Sequence, residues 1–157
     1  MTRAITLTLV IVLIAAAAIY LHDPPWVGDL TYGLRAWDTD AHGERFRWTR
    51  GRGSFFVPSD ATAITLKFRS HKPYPPNPIK VHVSVDDRWL ATITLPDPLQ
   101  PDPHHWVLAT LPLPRRPMSR HFRRIDIRVR HWMESFYLGV HMGEVVIERP
   151  PQTKGAE

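Results

Sequence analysis

The residues best suited to chemistry lie in one stretch, Trp37 to Thr49, which reads WDTDAHGERFRWT. Two indoles, Trp37 and Trp48, flank a carboxylate at Asp40 and a guanidinium at Arg47, with Gly43 between the two charges as a turn residue. A guanidinium meets a carboxylate through two parallel N–H donors, so the spacing predicts an Asp40–Arg47 pair across the Gly43 turn, with Trp37 and Trp48 packed on either side. The same four groups serve two purposes. They can staple the fold, or they can bind a ligand, since aromatic faces stack on sugar rings while an Arg and a carboxylate satisfy hydroxyls.

Other constellations are weaker. Nine His include the adjacent His104 and His105 in a Pro-bounded loop, with His82 and His131 on separate predicted strands. Neighbouring strand residues point to opposite faces and no His-x-x-x-His is present, so no metal site is expected. Ser54, Ser59, Ser70, Ser84, Ser119 and Ser135 all lie outside a Gly-x-Ser-x-Gly elbow. The carboxylates Asp86 and Asp87 read as a turn, because a short Asp side chain bonds its own backbone. Gly51-Arg52-Gly53 lacks the glycine and helix that complete a phosphate loop. With no Cys in the chain, thiolate metal sites and a cysteine nucleophile are excluded. The expectation is a non-catalytic protein without a cofactor; a His-dependent metalloenzyme is the least favoured alternative.

These groups must be held by strands. Sixteen Pro against eight Gly in 157 residues argue against a helical bundle. Beyond residue 26 the hydrophobic period is two: Ile64, Leu66 and Phe68 alternate with Thr65, Lys67 and Arg69. Val81, Val83 and Val85 alternate with His82, Ser84 and Asp86, and after Asp86-Asp87 the pattern resumes at Trp89, Ala91, Ile93 and Leu95, which is a hairpin. The turn lacks the Gly of a type I′ reversal, so a loop longer than two residues is allowed. Trp106 to Leu111, Arg124 to Arg130 and Phe136 to Ile147 follow, the last holding Gly139 and Gly143 as marks of a bulge or close packing. With Leu30 to Ala36, Arg45 to Thr49 and Ser54 to Val57, about eight or nine short strands form an antiparallel, jelly-roll-like β-sandwich over residues 30–149. Lys72 to Pro78 and Pro96 to Pro103 are Pro-rich loops, and 150–157 reads as a disordered tail.

Ahead of the strands, Ala4 to Leu21 is an uncharged apolar run of eighteen residues, a length of roughly 27 Å as a helix, close to a bilayer's hydrocarbon thickness. Residues 1–22 are therefore expected to be a single transmembrane signal anchor, followed by a stiff, non-helical stalk over 23–29 that begins Asp23-Pro24-Pro25. Arg3 precedes the span and no Lys or Arg follows until Arg35, which sets the N-terminus in the cytoplasm and exports the body across the inner membrane. Small residues at Ala15 to Ala18 also permit cleavage as a signal peptide, leaving a secreted or periplasmic protein. The net charge is +5, and Lys67, Arg69, Lys80, Arg124, Arg128 and Arg130 occupy outward strand positions that could build one basic face. Export disfavours nucleic acid as its partner and points to lipid headgroups or acidic envelope polymers, or to a solvated face that protects the sheet.

The segment with Trp37, Asp40, Gly43 and Phe46-Arg47-Trp48-Thr49 resembles the opening of small bacterial β-sandwich domains that accompany membrane glycosyltransferases and related envelope proteins. The likeness extends to the order of strand, Pro-rich loop, hairpin and strand, and to Leu138-Gly139-Val140. Such domains tend to carry an acid and an Arg ahead of the Leu-Gly, where this chain has Glu134 and Phe136. The resemblance implies a non-catalytic sandwich connected with glycans or with a glycosyltransferase-type membrane partner. The expected function is a membrane-anchored, extracytoplasmic binding or accessory module with Trp37, Asp40, Arg47 and Trp48 as ligand-binding residues. The alternative is a structural subunit of a membrane complex.

Overall fold

The computed structural model describes residues 2–21, 24–70, 78–96, 105–115, 120–129 and 138–151. One α-helix, α1 (Thr2–Leu21), leads into a 3-10 turn, Pro25–Asp29. Among the described residues ten strands follow: β1 (Thr31–Leu34), β2 (Asp38–Thr39), β3 (Arg45–Pro58), β4 (Ala63–Arg69), β5 (Lys80–Val85), β6 (Arg88–Thr94), β7 (Val107–Pro112), β8 (Phe122–Val129), β9 (His141–Met142) and β10 (Val146–Glu148). Every pairing among them is antiparallel.

The strands form two layers that share β3. Its first half carries β2 and β9 and so joins the layer in which β4 lies between β7 on one edge and β9 with β10 on the other. Its second half lies between β1 and β8, and β8 leads on to β5 and β6. Arg45 to Thr49 and Ser54 to Val57, two candidates by pattern, are thus one strand of 14 residues. Gly51 and Gly53 broke the hydrophobic alternation without breaking the chain's extension. Where β3 passes between layers, Thr49 is bonded at both ends: its Oγ1 accepts from the Val140 amide at 2.9 Å and donates to the Val140 carbonyl at 3.1 Å. Gly139 fits this corner because a Cβ there would stand 2.5 Å from Thr49 Oγ1 and 3.0 Å from the Arg50 carbonyl, which is the close packing expected of it.

The inward residues of both layers meet in one core. Ile64, Leu66 and Phe68 of β4, with Met142 and Val140, face Phe55 and Val57 of β3, Val81, Val83 and Val85 of β5, and Ile125 and Ile127 of β8. Burying such side chains contributes roughly 1.5–3 kcal/mol each, so the period-two pattern that announced the strands is also what closes the sandwich.

Several expectations change. The hairpin loop is two residues long: Asp86 and Asp87 both take positive φ, 49° and 63°, and Val85 pairs with Arg88, the type I′ geometry that matches the strand twist. The predicted non-helical stalk contains a 3-10 turn, since Pro at its first position has a φ suited to helix and no amide to leave unpaired. Gly28 of that turn lies against the Phe122 ring. The leading segment is helical over Thr2–Leu21, and its side chains from Ile5 to Ala18 are exposed. Among the described residues no helix is long and apolar enough to cross a membrane. The Lys72 to Pro78 and Pro96 to Pro103 loops lie almost wholly outside the described residues, as do His104, Ser119, Arg130, His131, Glu134, Ser135 and Phe136.

Candidate functional site

The β2–β3 hairpin builds the first part of the site. Asp38 pairs with Phe46 and Thr39 with Arg45, and the turn between them closes with the Gly43 amide on the Asp40 carbonyl at 3.0 Å. Gly43 has φ +80°, a conformation that a Cβ would strain. Asp40 Oδ1 accepts the amides of His42 and Glu44, both at 2.9 Å. Asp40 is therefore held by its own turn before any distant group reaches it.

The distant group is Arg69. Its Nη1 lies 2.8 Å from Asp40 Oδ2, and Arg69 is only 6% exposed. Arg69 Nε donates to His141 Nδ1 at 3.1 Å, which makes that ring nitrogen an acceptor and the imidazole neutral. The guanidinium carbon stands 4.4 Å from the Trp106 ring centroid and 5.2 Å from that of Phe46, distances of cation–π contact. Trp48 meets His141 edge-on at 4.1 Å and Phe46 meets it at 4.2 Å. Beside them, Lys67 pairs with Glu44 at 3.2 Å and lies 4.6 Å from the Trp106 centroid.

Burial works to raise the Asp40 carboxyl's pKa, but the Glu44 amide, the Arg69 guanidinium and the His42 amide outweigh it and hold the group at about 2. Asp40 is thus a fixed anion, and no general acid at neutral pH.

The predicted Asp40–Arg47 pair does not form. Along β3, Arg45 and Arg47 alternate with Phe46 and Trp48, so they project to the opposite side of the strand. Arg47 lies against Trp37, its guanidinium carbon 4.6 Å from the ring centroid, and Arg45 approaches the same ring at 5.1 Å. Among the described residues, buried Arg47 Nε has no hydrogen-bond partner, and neither has Trp106 Nε1. Burial pushes the Arg47 guanidinium down from its ordinary value. Trp37 keeps 39% of its surface exposed. The four predicted residues therefore divide in two: Asp40 and Trp48 belong to the buried Arg69 cluster, and Trp37 and Arg47 form a half-open aromatic and cationic pair.

Arg69, His141, Trp106 and Phe46 were not legible as site residues, because they meet only through the non-local pairing of β4 with β7 and β9. Arg69 read as part of an exposed basic face, and that face is corrected as well. Lys67 is part-buried on Glu44, and Arg124 is tied to Asp126 at 3.0 Å and to Asp87. Lys80 and Arg128 are exposed. Among the described residues no three His, Asp or Glu side chains gather where they could hold a metal ion.

No family model matches this chain, and no curated protein matches it. Among solved structures, a family 35 carbohydrate-binding module from an environmental isolate is similar at a TM-score of 0.49 and 12% identity, over 74% of this chain and 86% of that one. A family 35 module from Clostridium thermocellum is similar at a TM-score of 0.49 and 9% identity, over 77% of this chain and 92% of that one. The C-terminal family 6 module of a laminarinase from Zobellia galactanivorans is similar at a TM-score of 0.44 and 8% identity, over 76% of this chain and 91% of that one. At these identities the ligand has to be argued from this chain's own residues.

Proposed function

We propose that the chain is a non-catalytic glycan-binding module, tethered by its leading helix on the outer side of the cytoplasmic membrane. The observation that carries the glycan reading is Trp37: a half-open indole with the guanidiniums of Arg45 and Arg47 at its ring and, on Arg47, a buried Nε with no hydrogen-bond partner among the described residues. A sugar offers an apolar ring face to the indole and hydroxyl or carboxylate oxygens to the donors. Arg45 and Arg47 favour a glycan that carries negative charge. The tether reading is supported by Leu9 to Ile14, six consecutive apolar side chains that are all exposed. At 100° per residue they surround the helix, an arrangement that suits lipid better than water. A glycosyltransferase-type membrane protein is the partner this reading implies, to be sought by crosslinking in cells.

The test is affinity electrophoresis of the full chain in detergent, through gels containing acidic or neutral polysaccharides. Retardation by an acidic polysaccharide is expected, with Trp37→Ala keeping its circular dichroism and losing the retardation. A Trp37→Ala protein retarded like the parent, or a parent indifferent to every polysaccharide, overturns the assignment. Trp48→Ala is expected to behave differently, lowering the melting temperature, because Trp48 packs on His141 within the buried cluster.

A further inference from the structure

Between the last residue of α1, Leu21, and the first of the 3-10 turn, Pro25, stand only three residues. Four Cα steps reach at most about 14 Å. The turn closes on itself, the Val27 amide donating to the Pro24 carbonyl at 3.0 Å and the Leu30 amide to the Val27 carbonyl at 3.2 Å, and it meets the sandwich where Gly28 lies against Phe122, the first residue of β8. Leu30 runs directly into β1, which pairs with β3 through Thr31 and Phe55. This edge of the body therefore cannot stray far from the end of α1.

That same edge turns large side chains outward. Trp26 is 60% exposed, Leu30 45% and Tyr32 66%, three near neighbours on the approach to β1, whereas other exposed large apolar residues of the body, such as Trp89 and Leu108, lie on β6 and β7. Indole and phenol rings, apolar with one polar atom, partition to the boundary between hydrocarbon and headgroups. Arg120, exposed two residues ahead of Phe122, adds a positive charge near this edge, where anionic headgroups would attract it.

We infer that Trp26, Leu30 and Tyr32 form a contact surface for the bilayer, which seats the sandwich on the membrane by its β1 edge. The inference rests on the tether reading above and adds an orientation to it. From Phe55, opposite Thr31, β3 runs ten residues to Arg45 at the β2–β3 hairpin, a path of up to about 33 Å in extended chain. The Trp37 site then faces away from the lipid, toward polymers in the space beyond.

The chain has no Cys, so single cysteines can be labelled without background. Tyr32→Cys and, as a distal control, His42→Cys at the hairpin are each made in the full chain, labelled with an environment-sensitive dye and reconstituted into phosphatidylethanolamine and phosphatidylglycerol vesicles. Flotation reports the tether, and quenching by lipids spin-labelled at the headgroup reports the contact. Flotation with severalfold stronger quenching at residue 32 than at residue 42 is expected. Flotation with equal quenching at both positions overturns the contact surface and leaves the tether standing. A protein that stays with the aqueous fraction overturns the tether and the contact surface together.

Discussion

Arg69 carries a full charge at 6% exposure, and its surroundings explain how that is tolerated. A buried cation is costly unless paired and hydrogen-bonded, and here a carboxylate, a ring nitrogen and two aromatic faces meet it. Asp40 was legible as a charge needing a partner because its turn is local, but the partner was not, since Arg69 comes from another strand and only strand pairing brings it near. The pair has a pH signature. The Asp40 carboxyl lies at about 2 in the folded protein against an ordinary 3.8, so its contribution to stability is complete above 3.8 and disappears as pH falls toward 2. Urea unfolding measured at steps between pH 5 and pH 2 is expected to show the parent weakening over that window, with Asp40→Asn less stable at pH 5 and flatter below it. Parallel curves would show that the pair does not couple to folding.

At the scale of elements, alternation gave away β4 through Ile64, Leu66 and Phe68, β5 through Val81, Val83 and Val85, and β8 through Ile125, Ile127 and Val129, but on β6 it misplaced Trp89, which is exposed while Leu90 packs against the core where the β5–β6 register shifts. It failed on β3, because a strand that changes layers reverses which neighbours cover it, and Gly51 and Gly53 present no side chain to read. It also left open the β5–β6 turn, where two Asp occupy a conformation that costs L-residues roughly 1–2 kcal/mol. The turn is held from outside. The Asp86 carboxylate accepts from Arg123 Nε at 3.0 Å and from the Arg124 amide at 3.1 Å, whereas exposed Asp87 pairs with the part-exposed Arg124. Two substitutions to the same residue should therefore diverge. Asp87→Gly is expected to leave stability unchanged or raise it by up to about 1 kcal/mol, by relieving the backbone. Asp86→Gly is expected to lower it by about 1–2 kcal/mol despite the same relief, because buried Arg123 loses its carboxylate. Chemical denaturation of the two variants checks the contrast, and equal shifts would mean that the Arg123 contact contributes nothing.

At the scale of the whole molecule, body and leading helix treat apolar residues differently. The body packs a core between two layers, while α1 shows apolar side chains on every side from Leu9 to Ile14. An exposed apolar surface of that kind marks a lipid or protein contact, and the proposed answer is lipid, with the body carried across. The first basic residue after the helix is Arg35, while Arg3 sits in its first turn, a bias that would retain the leading end on the cytoplasmic side. If so, alkaline phosphatase fused after Glu157 should be active in bacterial cells and a fluorescent protein that folds only in the cytoplasm should be dark at the same position. Arg3→Glu should shift part of the population toward the reverse pattern, because it reverses the charge at the leading end of the apolar run. A dark phosphatase with a bright fluorescent protein would leave the body facing the cytoplasm, where envelope glycans are out of reach. Trp37 with its two guanidiniums would then need a different ligand, and the β1 edge would lie on the inner leaflet rather than the outer one.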